Sequence, residues 1–272
     1  MTEPSGGGTR ARETHAAVAA AARCGLATRG VLYVVVGALA LRIAFGAGGN
    51  AADRTGALAE LAGQPFGRVL VWAVGIGLVA MALWRCSEVL FGSAGPDGRK
   101  PAKRVAAAAR TVFYAVTAFS ALSFAAGRGG GRSSDEQSRD VTAQLLAVPA
   151  GPWLVGLAGL GIAVGGIVVV VGAARLTFRE QMETGRLPRG ARRAVDVLGV
   201  VGGVARGAVF TAAGAFLVHA AVSYDPRKAK GVDDTLRSFA QTPAGPWLLV
   251  AVATGLLLFG VFSWAMAAWP RV

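Results

Sequence analysis

Charge is missing from this chain over two long stretches. No Asp, Glu, Lys or Arg occurs between Val141 and Ala174, and none between Ser238 and Pro270. Charged residues make up 16% of the 272 positions and apolar residues 54%, so those stretches cannot form the surface of an ordinary water-soluble domain. An apolar run above about 18 residues can cross a hydrocarbon core of about 30 Å as a helix, which satisfies its own backbone N–H and C=O groups. Cysteine and histidine are equally scarce, with two of each. Cys24 and Cys86 have no His or carboxylate company at ligand spacing and are expected to be free thiols. His15 and His219 share no motif. No metal site and no cofactor is therefore expected, and the chain does not read as an enzyme. The expected spans also lack Asp and Glu, which argues against proton- or sodium-coupled transport, since that usually needs an ionisable group near the membrane midplane.

Arginine is tolerated near a membrane interface, where its long stem carries the charge out to water. With that allowance four more spans emerge, over about Leu26–Phe45, Phe66–Trp84, Val105–Ala126 and Leu198–Ser223, making six in all. The chain is thus expected to be a multi-pass protein of the cell inner or plasma membrane. The N-terminal tail, the 85–110 and 175–206 loops and the C-terminus hold 18 of the 28 Lys and Arg, against 10 in the other three loops. Cytoplasmic loops are enriched in these residues, so both termini are expected in the cytoplasm. The same dispersal accounts for the formal charge of +13 without invoking nucleic acid, for which no recognition motif is present. Residues 1–14 are polar and Gly-rich and read as a disordered tail, not as a cleaved signal peptide.

The chain repeats itself. P-A-G-P-W-L occurs at 149–154 and again at 243–248, with Q-P-F-G-R-V-L at 64–70 as a looser copy. An earlier landmark keeps step: A-T-R-G-V-L-Y at 27–33, A-A-R-T-V-F-Y at 108–114 and V-A-R-G-A-V-F at 204–210. The intervals are 84 and 94 residues between the prolines of the first landmark, and 81 and 96 between the arginines of the second. Three tandem two-helix units follow, at 15–92, 102–176 and 194–270. The proline motif marks the start of each returning helix, where a missing N–H costs nothing, and its Trp suits an interfacial aromatic belt. The stretches G-A-L-A-E-L-A-G, V-T-A-Q-L-L-A and D-T-L-R-S-F-A-Q that precede it read as short interfacial helices, with Asp140 and Asp234 as candidate N-caps. All hairpins run in the same sense, so an axis along the membrane normal should relate them, and a pseudo-threefold ring is the simplest packing.

The run R-G-V-L-Y-V-V-V-G at 29–37, with G-A-L-A-E-L-A-G-Q-P-F-G-R at 56–68 and G-I-G-L at 75–78, resembles the bacterial domain-of-unknown-function family 1206. The resemblance covers about residues 16–270 and weakens in the later units, where Gly30 becomes Thr111 and Tyr33 becomes Phe210. It implies an all-α bacterial membrane protein built of two-span units, and it implies no activity.

Arg29, Arg110 and Arg206 are each followed four residues later by a ring: Tyr33, Tyr114 or Phe210. That spacing places arginine and ring on one helix face. Three copies round an axis could gather guanidiniums suited to a phosphate or carboxylate. Alternatively, each arginine snorkels to lipid headgroups and each ring fills a helix seam. Gly159, Gly161 and Gly165, with Glu180 beyond, imitate a dinucleotide-binding fingerprint but lie inside a span, where small residues serve close helix packing, as at Gly75, Gly77 and Gly203–Gly207. Glu88 beside Arg85 reads as an exposed ion pair. Thr117, Ser120 and Ser123 lend the third span some polarity, and such hydroxyls also bond back to helix carbonyls. The reading is a non-enzymatic membrane component whose partners are the bilayer, anionic lipid headgroups or another membrane protein. A channel or facilitator for small or anionic solutes along the axis is the alternative.

Overall fold

The computed structural model describes residues 6–46, 49–92, 101–127, 133–182 and 188–270, and among these the architecture is all helical. Six helices are long and apolar enough to cross a membrane: α1 (Gly6–Ala44), α3 (Gly67–Phe91), α4 (Pro101–Ala125), α6 (Gly151–Ala174), α7 (Arg189–Ser223) and α9 (Gly245–Ala268). Three short helices, α2 (Arg54–Ala62), α5 (Ser134–Leu146) and α8 (Val232–Ala240), each precede a returning span. The segment read as a polar tail is helical backbone from Gly6 onward, and residues 1–5 lie outside the described residues. The two uncharged stretches are not spans from end to end. Each begins inside a short helix, α5 or α8, and the span itself starts only at Gly151 or Gly245.

The proline motif builds one turn three times. Gly67, Gly151 and Gly245 open the returning helices and donate their N–H groups to Gln64 O, Val148 O and Thr242 O at 2.8, 2.8 and 2.7 Å. A Cβ at these glycines would lie 2.2, 1.7 and 1.9 Å from a carbonyl oxygen of the preceding short helix, so no other residue fits without moving the backbone. The indoles that follow, Trp153 and Trp247, are 78% and 80% exposed, as an interfacial ring should be.

The short helices are capped differently from the sequence expectation. Asp53 caps α2, its carboxylate accepting the Gly56 N–H, while Ser133 caps α5 in a reciprocal capping box with Glu136. Asp140 sits inside α5, and Asp234 falls in the first turn of α8 behind Gly231. A cap must stand outside the helix it closes; α5 starts well before Asp140, and its cap signal was Ser133 with Glu136 three residues on.

Helix order round the bundle follows chain order. The most extensive contacts join neighbouring hairpins, α3 to α4, α6 to α7 and α9 to α1. Within hairpins α1 packs on α3 and α7 on α9, but α4 and α6 are not packed partners. The expected ring therefore forms as an arc, closed everywhere except at the seam between α4 and α6. Helix crossings use glycine: a Cβ on Gly30 would strike Trp264 at 2.3 Å, one on Gly77 Thr28 at 1.8 Å, and one on Gly203 Ala173 at 2.6 Å. On α6 the packing glycines are Gly159 and Gly166; Gly161 and Gly165 meet nothing within 4 Å, so the packing role given to those two is corrected. They fall on a different face of the helix from Gly159.

Candidate functional site

Two of the repeat-related arginines, Arg29 and Arg206, meet at one ring, Phe259. Arg29, on α1, is buried, donating from Nε to Ser263 Oγ at 3.0 Å and from Nη2 to Met266 Sδ at 3.3 Å, with Phe259 under its guanidinium. Arg206, on α7, lies 5.1 Å from the Phe259 ring, 5.2 Å from Phe210 and 5.7 Å from Tyr33. Phe259, packed edge-on against Tyr33, is thus shared by two guanidiniums. Arg110, on α4, is solvent-accessible and lies in the electrostatic field of Arg206, Arg85 and Tyr114. Tyr114 is buried beside Arg29.

A fourth arginine joins them that the repeat did not single out. The Arg85–Glu88 pair is not an exposed one: its side chains are 5% and 8% accessible, with Nη1 2.6 Å from Oε2. The expectation failed because α3 runs on to Phe91, past the expected end of the span at Trp84, and carries both groups into the packed interior. Glu88 is also the carboxylate that the span reading had excluded. Arg85 stacks on Trp84 at 4.1 Å.

The charge balance follows. Among the described residues, Arg29, Arg85, Arg110 and Arg206 share one carboxylate, Glu88, leaving three guanidinium charges without a partner charge. The Nε atoms of Arg85 and Arg206 are buried and have no hydrogen-bond partner. Guanidinium remains charged at any physiological pH, and an uncompensated buried charge costs several kcal/mol. Planar donors arranged in this way suit an oxyanion, phosphate or carboxylate, approached in bidentate fashion.

The opposite end of the bundle is acidic and internally satisfied. Carboxylate oxygens of Asp135, Asp233 and Asp234 lie within 4.8 Å of one another. Asp135 accepts the Asp234 N–H, Asp233 accepts the Ala52 N–H at 2.7 Å and is paired with Arg237, and Asp234 is paired with Arg139. This knot ties the starts of the three short helices together. Elsewhere, Cys24 and Cys86 are free thiols, and His219 is exposed near the end of α7. An open apolar groove of about 500 Å³ runs between α6, α7, α8 and α9, lined by Ile167, Val170, Thr211, Phe239, Leu248 and Val252. It offers room for an acyl chain and little to a polar substrate.

A chain of three tandem helical hairpins, with six helices fit to cross a membrane and arginines gathered inside, is a multi-pass membrane protein. It belongs to the family described as Domain of Unknown Function (DUF1206), whose model matches three times, over residues 24–92, 105–175 and 201–270. It is 32% identical over 243 residues to an uncharacterized protein, YxxB, of Bacillus subtilis (strain 168), the match covering 89% of this chain and 87% of the relative. No solved structure matches it.

Proposed function

We propose that this protein is a non-enzymatic component of the cell membrane that binds the phosphate of an acidic lipid in its arginine-lined interior. One observation carries the reading: four guanidiniums share one carboxylate inside an arc whose wall is open at the α4/α6 seam. An anionic headgroup supplies the missing charge, and the seam lets its acyl chains remain in the bilayer. A conduit for soluble anions along the axis has less support, because an open seam would admit lipid. The excess of Lys and Arg in the loops on the terminal side supports cytoplasmic termini. On that topology a membrane-impermeant maleimide should label the exposed Cys24 only after cells are opened.

The test is native mass spectrometry of protein released from its own membrane, comparing wild type with Arg29→Gln/Arg110→Gln/Arg206→Gln. Wild type should retain phosphatidylglycerol or cardiolipin that the variant loses, with helix content and thermal midpoint showing that the variant is folded. Because Arg29 is buried and Arg206 half-buried, the accessible Arg110→Gln alone provides a second, milder comparison. Equal lipid occupancy in all three proteins would overturn the reading.

A further inference from the structure

A fifth arginine reaches the interior from the other end. Arg54 is the first residue of α2, yet its guanidinium lies 4.7 Å over the Phe113 ring of α4 and donates to the Thr117 hydroxyl. Arg110, Phe113 and Thr117 stand at i, i+3 and i+7 and so form one stripe along α4. Thr117 lies about 10 Å along the helix axis from Arg110, at about 1.5 Å of rise per residue. Tyr33 and Tyr114 each lie in the electrostatic field of both Arg54 and Arg206. Arg54 is accessible to water, yet protein surrounds it closely enough that desolvation pushes its pKa below the usual arginine value. Its carboxylate neighbour Asp53 already accepts the Gly56 N–H, and the groups in direct contact with the guanidinium, Thr117 and Phe113, are neutral.

The two helices that border the open seam differ in what else they carry. α4 carries the stripe just described. Beyond Gly151, α6 is without a charged residue, and Leu157, Val164 and Val168, which share one face of it, are 48–64% exposed. α4 thus offers cationic and polar groups on one face and hydrocarbon (Val112, Val116 and Phe119) on the other, and α6 offers hydrocarbon alone. That pairing matches an acidic phospholipid lying with its headgroup inside the arc and its tails outside. Carrying a phosphate across a bilayer needs charge to replace water at each depth, with no station so strong that the ion cannot leave.

Resting on the lipid-binding reading above, we infer that the protein moves acidic phospholipids between the two leaflets. The headgroup passes along α4 between Arg54 and the Arg29/Arg110/Arg206 cluster, while the tails slide in the α4/α6 seam. The full chain is reconstituted in phosphatidylcholine/phosphatidylglycerol vesicles with a trace of phosphatidylglycerol carrying a dithionite-quenchable fluorophore. Dithionite outside should bleach the probe of both leaflets, where protein-free vesicles lose only the outer-leaflet signal. Arg54→Gln should slow the second phase at least tenfold, the ratio that about 1.4 kcal/mol of barrier produces, yet still retain phosphatidylglycerol in native mass spectrometry. Arg54→Lys should recover part of the rate.

Wild-type protein that retains lipid but bleaches only the outer leaflet overturns this inference and leaves lipid binding standing. Loss of lipid retention in wild type overturns both. An Arg54→Gln rate equal to wild type, or passage of entrapped inorganic phosphate without passage of the lipid probe, also overturns the inference.

Discussion

Asp135 is a residue whose charge the fold tolerates poorly. Burial pushes its carboxyl up to about 6, the neighbouring carboxylates of Asp234, Asp233 and Asp53 add to the effect, and the Asp234 N–H it accepts only partly opposes it. A carboxyl whose folded pKa is raised holds its proton more tightly in the folded state. Its contribution to stability is therefore complete below the unfolded value of 3.8 and is lost as pH rises through about 6. The loss is on the order of 3 kcal/mol at most, since each tenfold gain in proton affinity is worth about 1.4 kcal/mol. Thermal unfolding in detergent should show a midpoint that falls between about pH 4 and pH 7 in wild type. Asp135→Asn should flatten that slope, and an unchanged slope would show that the acidic knot does not set it. At this scale Arg29, Arg110 and Arg206 were legible in the sequence, because a repeat register and an i, i+4 ring marked all three. Arg54 was not. It stands eleven residues before Pro65, where the other repeats have Ser138 and Val232, so no repetition drew attention to it. Arg85 and Glu88 looked like a surface pair because their burial depends on how far α3 continues.

Elements were read most securely where backbone chemistry leaves few choices. The proline motif with its following glycine specified the same turn three times, and the short helices ahead of it followed from apolar spacing. Their caps were misread because Asp, Ser and Gly all serve as N-caps, and the choice depends on where the helix starts. Glycine inside the spans posed the opposite difficulty, since its presence announces close packing without saying on which face. Gly166 and Gly161 separate the two cases. A Cβ at Gly166 would lie 2.4 Å from Thr211 Oγ1 and 2.7 Å from Gly207 O, while one at Gly161 meets nothing. Gly166→Ala should therefore destabilise by about 1–3 kcal/mol, the range for overpacking a tight contact. Gly161→Ala should be neutral or stabilising by about 0.5–1 kcal/mol, since alanine is the better helix former. Thermal midpoints in detergent provide the comparison. Equal losses in the two variants would mean that α6 does not pack on α7 through Gly166.

At the scale of the molecule, repetition predicts a closed ring, and the fold departs from it at one place. Closure needs each helix to offer its neighbours small residues or matched ridges. α6 packs on α7 through Gly159 and Gly166, where a Cβ would come within 2.4–2.8 Å of α7, while Gly161 and Gly165 face open space. α4 presents Val112, Val116 and Phe119, 63–74% exposed, with no packed partner opposite. Repeat two therefore holds its two spans apart, although its sequence keeps the same landmarks as the other repeats. The contrast is measurable by pulsed electron spin resonance in a Cys24→Ala/Cys86→Ala background. Spin labels at Val116→Cys and Val164→Cys straddle the open seam, and labels at Val164→Cys and Val201→Cys straddle the α6/α7 contact; all three positions are exposed in wild type. The seam pair should give the broader distance distribution, and phosphatidylglycerol, but not phosphatidylcholine, should narrow it. The α6/α7 pair should be narrow in both lipids. Equally narrow distributions for the two pairs would mean that the arc is as rigid at α4/α6 as elsewhere, and tails could then not slide through it while the headgroup moves inside.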